Sequence, residues 1–318
     1  MLAYSRLHQN TQGIVCLAGA LVFLTFSDSI IKWLSPTYAL HQITLYRAVV
    51  ALLVILVIVK LEGGLQLLHT RRPGMHLFRG MLLVLANMFF FLGLSVMPLA
   101  EVVALFFTAP LFICLLARPV LGERVGISRW LAIGIGMAGV VIMVEPGASS
   151  FSWAATMPVL AALTYAAMVM VTRRLGMNDT AGTLAFYIQV AFIIVSTISG
   201  LLLGGGQFDR FEHTTLDFVF RAWQWPTAFD FYLLVICGVV VAGGAYLLSQ
   251  AYRLAQASVV APFEYTSLPL AVLVGYLVWG DLPGLRDAIG SVLIVGSGLL
   301  VVVYESRVRQ MSVKNAQV

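Results

Sequence analysis

Ala100 to Glu123 reads AEVVALFFTAPLFICLLARPVLGE. An echo begins 157 positions later, where Ala257 to Asp281 reads ASVVAPFEYTSLPLAVLVGYLVWGD. Both stretches open on Ala, a polar residue and Val-Val-Ala. Both carry a proline inside an apolar run (Pro110, Pro269) and close on Gly plus a carboxylate (Gly122-Glu123, Gly280-Asp281). Self-similarity at a fixed distance marks a duplicated unit. Here the unit is an apolar helix too long for an ordinary soluble core, so the two copies read as two halves of one membrane protein.

Composition agrees. Of 318 residues, 60% are hydrophobic and 10% charged, where a soluble domain carries roughly 25% charged residues. A water-soluble globule of this size cannot hide that much apolar surface, and a bilayer can. The formal charge of +5 does not point to nucleic acid, because Lys and Arg sit in short clusters between apolar runs. Cys16, Cys114 and Cys237 all lie inside apolar segments and read as small core residues, not as a disulfide set or a metal site. The first apolar run starts near Gly13 with no small-residue cleavage site behind it, so it is expected to stay as a helix.

A membrane span needs about 20 mainly apolar residues. Ten stretches qualify: 13–34, 40–60, 76–96, 100–120, 129–145, 152–172, 180–203, 230–252, 258–280 and 284–304. The predicted fold class is an all-α polytopic membrane protein with ten transmembrane helices. Most connections are short and force antiparallel neighbours. Two are longer, 61–75 and 204–229; the second is polar at its start and aromatic at its end, and is expected to lie partly along the membrane surface. With the N-terminus inside, the inner face collects fourteen of the nineteen Lys and Arg residues. The positive-inside rule then places both termini in the cytoplasm, in a bacterial-type inner membrane.

Further echoes fix the halves. Leu24-Thr25-Phe26 matches Leu163-Thr164-Tyr165, and Thr44-Leu45 matches Thr183-Leu184, both 139 residues apart. The offset grows to 157 for the later spans because the 204–229 loop intervenes. The halves are therefore residues 1–148 and 149–318, with five spans each. Five is odd, so the second half enters the membrane from the opposite side, and the repeats are inverted. Inverted repeats are the signature of secondary transporters, whose substrate site lies near the midplane between them.

These same residues carry a family resemblance. The chain resembles the drug/metabolite transporter superfamily, in the branch with two EamA domains, over nearly its whole length. The resemblance rests on Ala100–Pro110 with Gly122-Glu123, on Gly134, Gly136 and Gly139, and on Ser249-Gln250-Ala251-Tyr252-Arg253 leading into Ala261-Pro262-Phe263-Glu264. It implies a central cavity, alternating access, and a glycine-rich scaffold in the fifth and tenth spans. It does not name the cargo: similar proteins move amino acids, riboflavin or S-adenosylmethionine.

Charges inside the bilayer cost about 2.5–3.5 kcal/mol each on insertion scales and are functional candidates by default. Asp28 and Lys32 stand four apart in the first span, and Arg47 lies in the second. Asp28 and Arg47 fall at the same depth, roughly 10 Å from the outer end of their spans. They are expected to meet as an ion pair, with Lys32 above them, as a substrate subsite, a gate or a structural lock. Asn87 must find a partner on a neighbouring helix or on the cargo. The phenylalanines beside it, Phe89-Phe90-Phe91, read as lipid-facing or core. Glu264, early in the ninth span, is a candidate proton carrier, a cation ligand, or a partner for Arg253 or another inner-face base. Tyr265 beside it, Tyr165 and Gln250 are candidate hydrogen-bonding groups for cargo, and Gln189 is a weaker one. Glu101, Glu123 and Asp281 read as interfacial caps.

No nucleophile elbow, phosphate loop, HExxH or Cys-x-x-Cys is present, so no enzyme chemistry, cofactor or metal is expected. The leading expectation is a secondary carrier, monomer or homodimer, for a small polar solute, with amino-acid export foremost and proton coupling through Glu264. An uptake carrier for a larger metabolite such as riboflavin or S-adenosylmethionine is the alternative. A membrane enzyme or a non-transporting assembly partner is the second alternative.

Overall fold

The computed structural model describes residues 2–70, 72–109, 111–113, 115–116, 127–144, 153–175, 181–207, 214–254, 261–297 and 299–300. The readings placed on Pro110, Cys114, Gly122, Glu123 and residues 257–260 lie outside them. Among the described residues every regular element is helical: α1 (Leu2–Leu34), α2 (Leu40–Glu62), α3 (Pro73–Leu94), α4 (Leu99–Phe106), α5 (Ile127–Val144), α6 (Thr156–Leu175), α7 (Ala181–Leu203), α8 (Thr214–Phe220), α9 (Ala228–Leu254) and α10 (Ser267–Trp279). A further helical stretch, α11, covers 285–297. Six of these described helices are long and apolar enough to cross a membrane: Gln12–Leu34, Leu40–Glu62, Pro73–Leu94, Trp153–Val171, Gly182–Leu203 and Ala228–Leu248. They match six of the ten expected spans to within a few residues. The others are shorter or interrupted.

The helices pair in a pattern that maps onto itself when the first-half helices are exchanged for their second-half counterparts. α1 packs on α9, and α3 on α6. α2 packs on α9, and α3 on α7. α4 packs on α6, and α1 on α10. The pairs α2–α7 and α4–α10 are their own images. Glycines make the matching close approaches. A Cβ at Gly238 would stand 2.5 Å from the Val50 Cβ, and one at Gly80 would stand 2.8 Å from that of Ala191, so α9–α2 and α3–α7 both press backbone against a neighbour. α5 and α11 cross in the same way, with Gly139 and Gly290 each facing the other's carbonyl.

The expected fourth and ninth spans are not continuous α-helices. α4 ends after eight residues, and the chain turns at Phe107-Thr108 before helical hydrogen bonding resumes with Phe112 N donating to Thr108 O. Its counterpart starts as a 3-10 helix over Ala261–Thr266 and becomes α-helical only at Ser267. The two irregular segments touch, the Phe107 and Tyr265 rings lying 4.9 Å apart. Pro269, expected to break its helix, instead sits in the first turn of α10, where a missing N–H costs nothing.

At the end where α1 finishes, the 204–229 connection differs from the expected surface segment. α8 turns Phe218 into the main core beside Ile31, Leu34 and Phe91. Residues 221–227 are then pinned to the α1–α2 corner. Arg221 donates to Ser35 O at 3.0 Å, Gln42 Nε2 to Gln224 O at 2.5 Å, and Thr227 N to the Tyr38 hydroxyl at 3.2 Å. Tyr38 in turn donates to Asp230 at 2.7 Å. Trp225 in the same stretch is 93% exposed.

Candidate functional site

Arg47 is the centre of the site. It lies in the second turn of α2, is 5% exposed, and is surrounded by helices from both halves. Its guanidinium carbon stands 4.9 Å from the centroid of Phe91 on α3 and 4.9 Å from that of Phe192 on α7. Two aromatic rings stabilise a guanidinium through their quadrupoles by about 0.5–2 kcal/mol each, more as water is excluded. Neither ring accepts a conventional hydrogen bond, so the planar fork of N–H donors stays open to other contacts. Among the described residues no hydrogen bond or ion pair to Arg47 is made.

Asp28 lies on the neighbouring α1, half-buried, close enough for its charge to act on Arg47. The expected ion pair is not formed: the two groups stay beyond the 4.0 Å of a salt bridge. The rings explain this, because Arg47 is oriented by Phe91 and Phe192 instead of by the carboxylate. Next to them Ser27 and Cys237 meet across α1 and α9 at 3.4 Å, joining the site floor to the second half.

Lys32, one helical turn beyond Asp28 near the end of α1, has partners of its own. Its ammonium donates to Met97 O at 2.9 Å, lies 3.4 Å from Asp281 and stands 4.9 Å over the Trp279 ring. It ties the end of α1 to the α3–α4 turn and to the end of α10. Asp281 is thus a partner in a tie, not only a cap. The same contacts place the start of α4 beside the end of α10, so these two helices run in opposite directions.

From Arg47 an unbroken line of rings leads across the molecule. Phe91 meets Phe90 at 5.8 Å, Phe90 meets Phe106 at 5.5 Å, and Phe106 meets Tyr165 at 5.5 Å, all edge to face. Such geometry is worth about 0.5–1.5 kcal/mol per pair beyond area burial. At the far end Tyr165 feels the charge of Glu264 on the 3-10 segment. Asp28 and Arg47 thus lie at one end of this line of rings, and Tyr165 and Glu264 at the other. Tyr265 adjoins the line through Phe107. Asn87 donates to Leu83 O at 2.9 Å, one turn back on its own helix, and makes no hydrogen bond to a neighbouring helix among the described residues. Gln250, near the end of α9, is half-buried and makes no hydrogen bond among the described residues.

The sequence reading missed the ring positions. Phe91 lies four residues past Asn87, and Phe192 three past Gln189. Those are same-face helical spacings, so the signal was present but was masked by the run of three phenylalanines.

Residues 11–145 match the EamA-like transporter family. A riboflavin transporter from Vibrio cholerae is 31% identical over 304 residues, covering 94% of this chain and 96% of its own length. The chain belongs to the EamA-like transporter family. Its relatives are transporters of the drug/metabolite superfamily. A riboflavin transporter from Rhizobium johnstonii is 33% identical over 77% of this chain and 75% of its own. An S-adenosylmethionine uptake transporter from Rickettsia prowazekii is 23% identical over 93% and 94%. A protein of known crystal structure shares the fold at a TM-score of 0.60 and 19% identity, covering 94% of this chain and 99% of its own. EamA membership and apolar helices make this a multi-pass membrane protein of the bacterial inner-membrane type, and point to transport of a small solute rather than to an enzyme. Amino-acid export, the leading expectation, finds no specific support among these relatives.

Proposed function

We propose that this EamA-family chain is an uptake carrier for a planar aromatic metabolite of the flavin class, riboflavin foremost. The observation that carries the reading is Arg47 beside Phe91 and Phe192, at the head of a line of rings that ends at Tyr165, within reach of the charge of Glu264. A flat polycyclic solute stacks on such rings with little loss of conformational entropy and leaves its polar edge for Arg47. A relative 31% identical over nearly the full length and named a riboflavin transporter supports the same cargo. The self-mapping helix pairs support two inverted five-span repeats, residues 1–148 and 149–318, which enclose the site and expose it alternately to either side. In this reading both termini are cytoplasmic and Glu264 is the candidate proton carrier.

The test is uptake of labelled riboflavin by a bacterial strain that can neither make nor import it. Expression of this chain restores accumulation and growth on micromolar riboflavin. Normal membrane levels of protein with no accumulation would reject the proposal.

S-Adenosylmethionine uptake is the second reading. It is favoured by the half-buried carboxylates of Asp28 and Glu264, which suit a cationic cargo, and by the Rickettsia relatives. Competition of riboflavin uptake by S-adenosylmethionine at equal concentration would support it.

A further inference from the structure

We infer that Asp28 and Arg47 together read the imide edge of the cargo, the run C=O, N–H, C=O that closes one end of a flavin ring system. This rests on the flavin reading above and goes further by assigning the group recognised and the role of each residue. Arg47 carries five N–H donors and no acceptor, and none of those donors is used by a described residue. The centroids of Phe91 and Phe192 each lie 4.9 Å from the guanidinium carbon. The N–H bonds lie in the plane of the guanidinium, so an acceptor reaches it in that plane, and a flat ring system presenting its edge meets the fork beside the two phenylalanines.

Asp28 is the matching acceptor. It comes from a different helix, is half-buried, and makes no hydrogen bond or ion pair among the described residues. Its charge reaches Arg47 without contact. A carboxylate and a guanidinium held beyond 4.0 Å keep a Coulombic attraction but forgo the charge-assisted hydrogen bonds of a contact pair. Keeping them apart is useful where something with adjacent donor and acceptor groups goes between. A cyclic imide is that group: its N–H donates to Asp28 and a flanking carbonyl accepts from Arg47, with both bonds charge-assisted. Adenine lacks an imide N–H between two carbonyls, so the same pair discriminates against an adenosyl cargo. A zwitterionic amino acid would also satisfy the two charges, but it has no ring system to occupy the Phe90–Phe106–Tyr165 line.

The experiment is a fluorescence titration of the purified full-length protein with riboflavin and with riboflavin methylated at the imide nitrogen. It is run on wild type, Asp28→Ala and Asp28→Asn, each first shown monodisperse by size exclusion. Wild type is expected to bind the methylated compound about tenfold or more weakly. Both Asp28 variants are expected to bind the two compounds equally, because the carboxylate that selects the N–H is gone. Equal binding of both compounds by wild type overturns the inference while leaving flavin transport standing. A variant that still discriminates tenfold overturns it as well. If wild type binds neither compound, the inference and the flavin reading fall together. If binding of a free amino acid, probed by competition, is what Asp28→Ala abolishes, the zwitterion replaces the imide.

Discussion

The two halves of the chain share a packing scheme and differ in chemistry. In the first half α1 and α2 carry Asp28, Lys32 and Arg47. At the corresponding positions in α6 and α7, 139 residues on, Asp28 becomes Ala167 and Arg47 becomes Phe186. The second half contributes rings instead, Phe192 and Tyr165, and one carboxylate, Glu264. A matched set of helix pairs thus surrounds an unsymmetrical candidate site. The pairs rest on small residues and shape, which recur in both halves. The buried charged side chains do not recur.

The comparison breaks most visibly at Arg47. Arg47→Ala is expected to lower transport at least a hundredfold with normal membrane levels. Arg47→Lys rescues little, because an ammonium cannot offer a planar edge between two rings. Phe186→Ala, at the equivalent position of the other half, leaves cargo affinity within about threefold. Equal losses at both positions in a transport assay would show that recognition is shared between the halves after all.

Stability should be shared where recognition is not. Gly238→Ala and Gly80→Ala place a methyl against Val50 and Ala191 and are each expected to cost about 1–3 kcal/mol by overpacking. Gly134→Ala meets nothing within 4 Å and is expected to be neutral or to gain up to about 1 kcal/mol of helix propensity. Thermal denaturation in one detergent ranks the three. A neutral Gly80→Ala beside a damaging Gly238→Ala would show the packing to be less symmetrical than the helix pairs indicate.

Glu264→Gln sharpens the asymmetry further. If the second half supplies the proton carrier, the variant transports at a rate about tenfold lower that no longer varies between pH 5.5 and 8. Uptake that keeps its wild-type pH profile removes that role. The smallest effect is expected at Lys32. Lys32→Ala removes a partly exposed tie worth about 1 kcal/mol or less. Its readout is faster labelling of a cysteine introduced at Ser35, which is buried at the end of α1 while the tie holds.

Much of this fold was legible because apolar runs of about 20 residues have one common explanation. α1, α2, α3, α6, α7 and α9 lie where the runs lie. The fourth and ninth spans were legible as apolar but not as interrupted. Hydropathy reports the solvent around a segment and says nothing of its hydrogen-bond register. Pro269 misled for a related reason: a proline disrupts a helix interior but suits a first turn, and only the structure shows that α10 starts at Ser267. The candidate site was legible as a list. Buried charge is expensive enough to mark Asp28 and Arg47, but the ion pair expected from their equal depth is not formed. Their partners were not legible, because rotation of each helix about its axis decides whether Arg47 faces a carboxylate or two rings. Lys32 shows the same limit, since its partner Asp281 is 249 residues away.

The meeting of Phe107 with Tyr265 has a mechanical consequence. Both rings sit where regular backbone gives way, so each is a fulcrum with a stiff arm beside it. α10 has 13 residues, an arm of about 20 Å. Swinging it by about 10° carries its tip roughly 3.5 Å, as far again as the 3.4 Å that separates Lys32 from Asp281. A motion that small at the centre is enough to unlatch the rim.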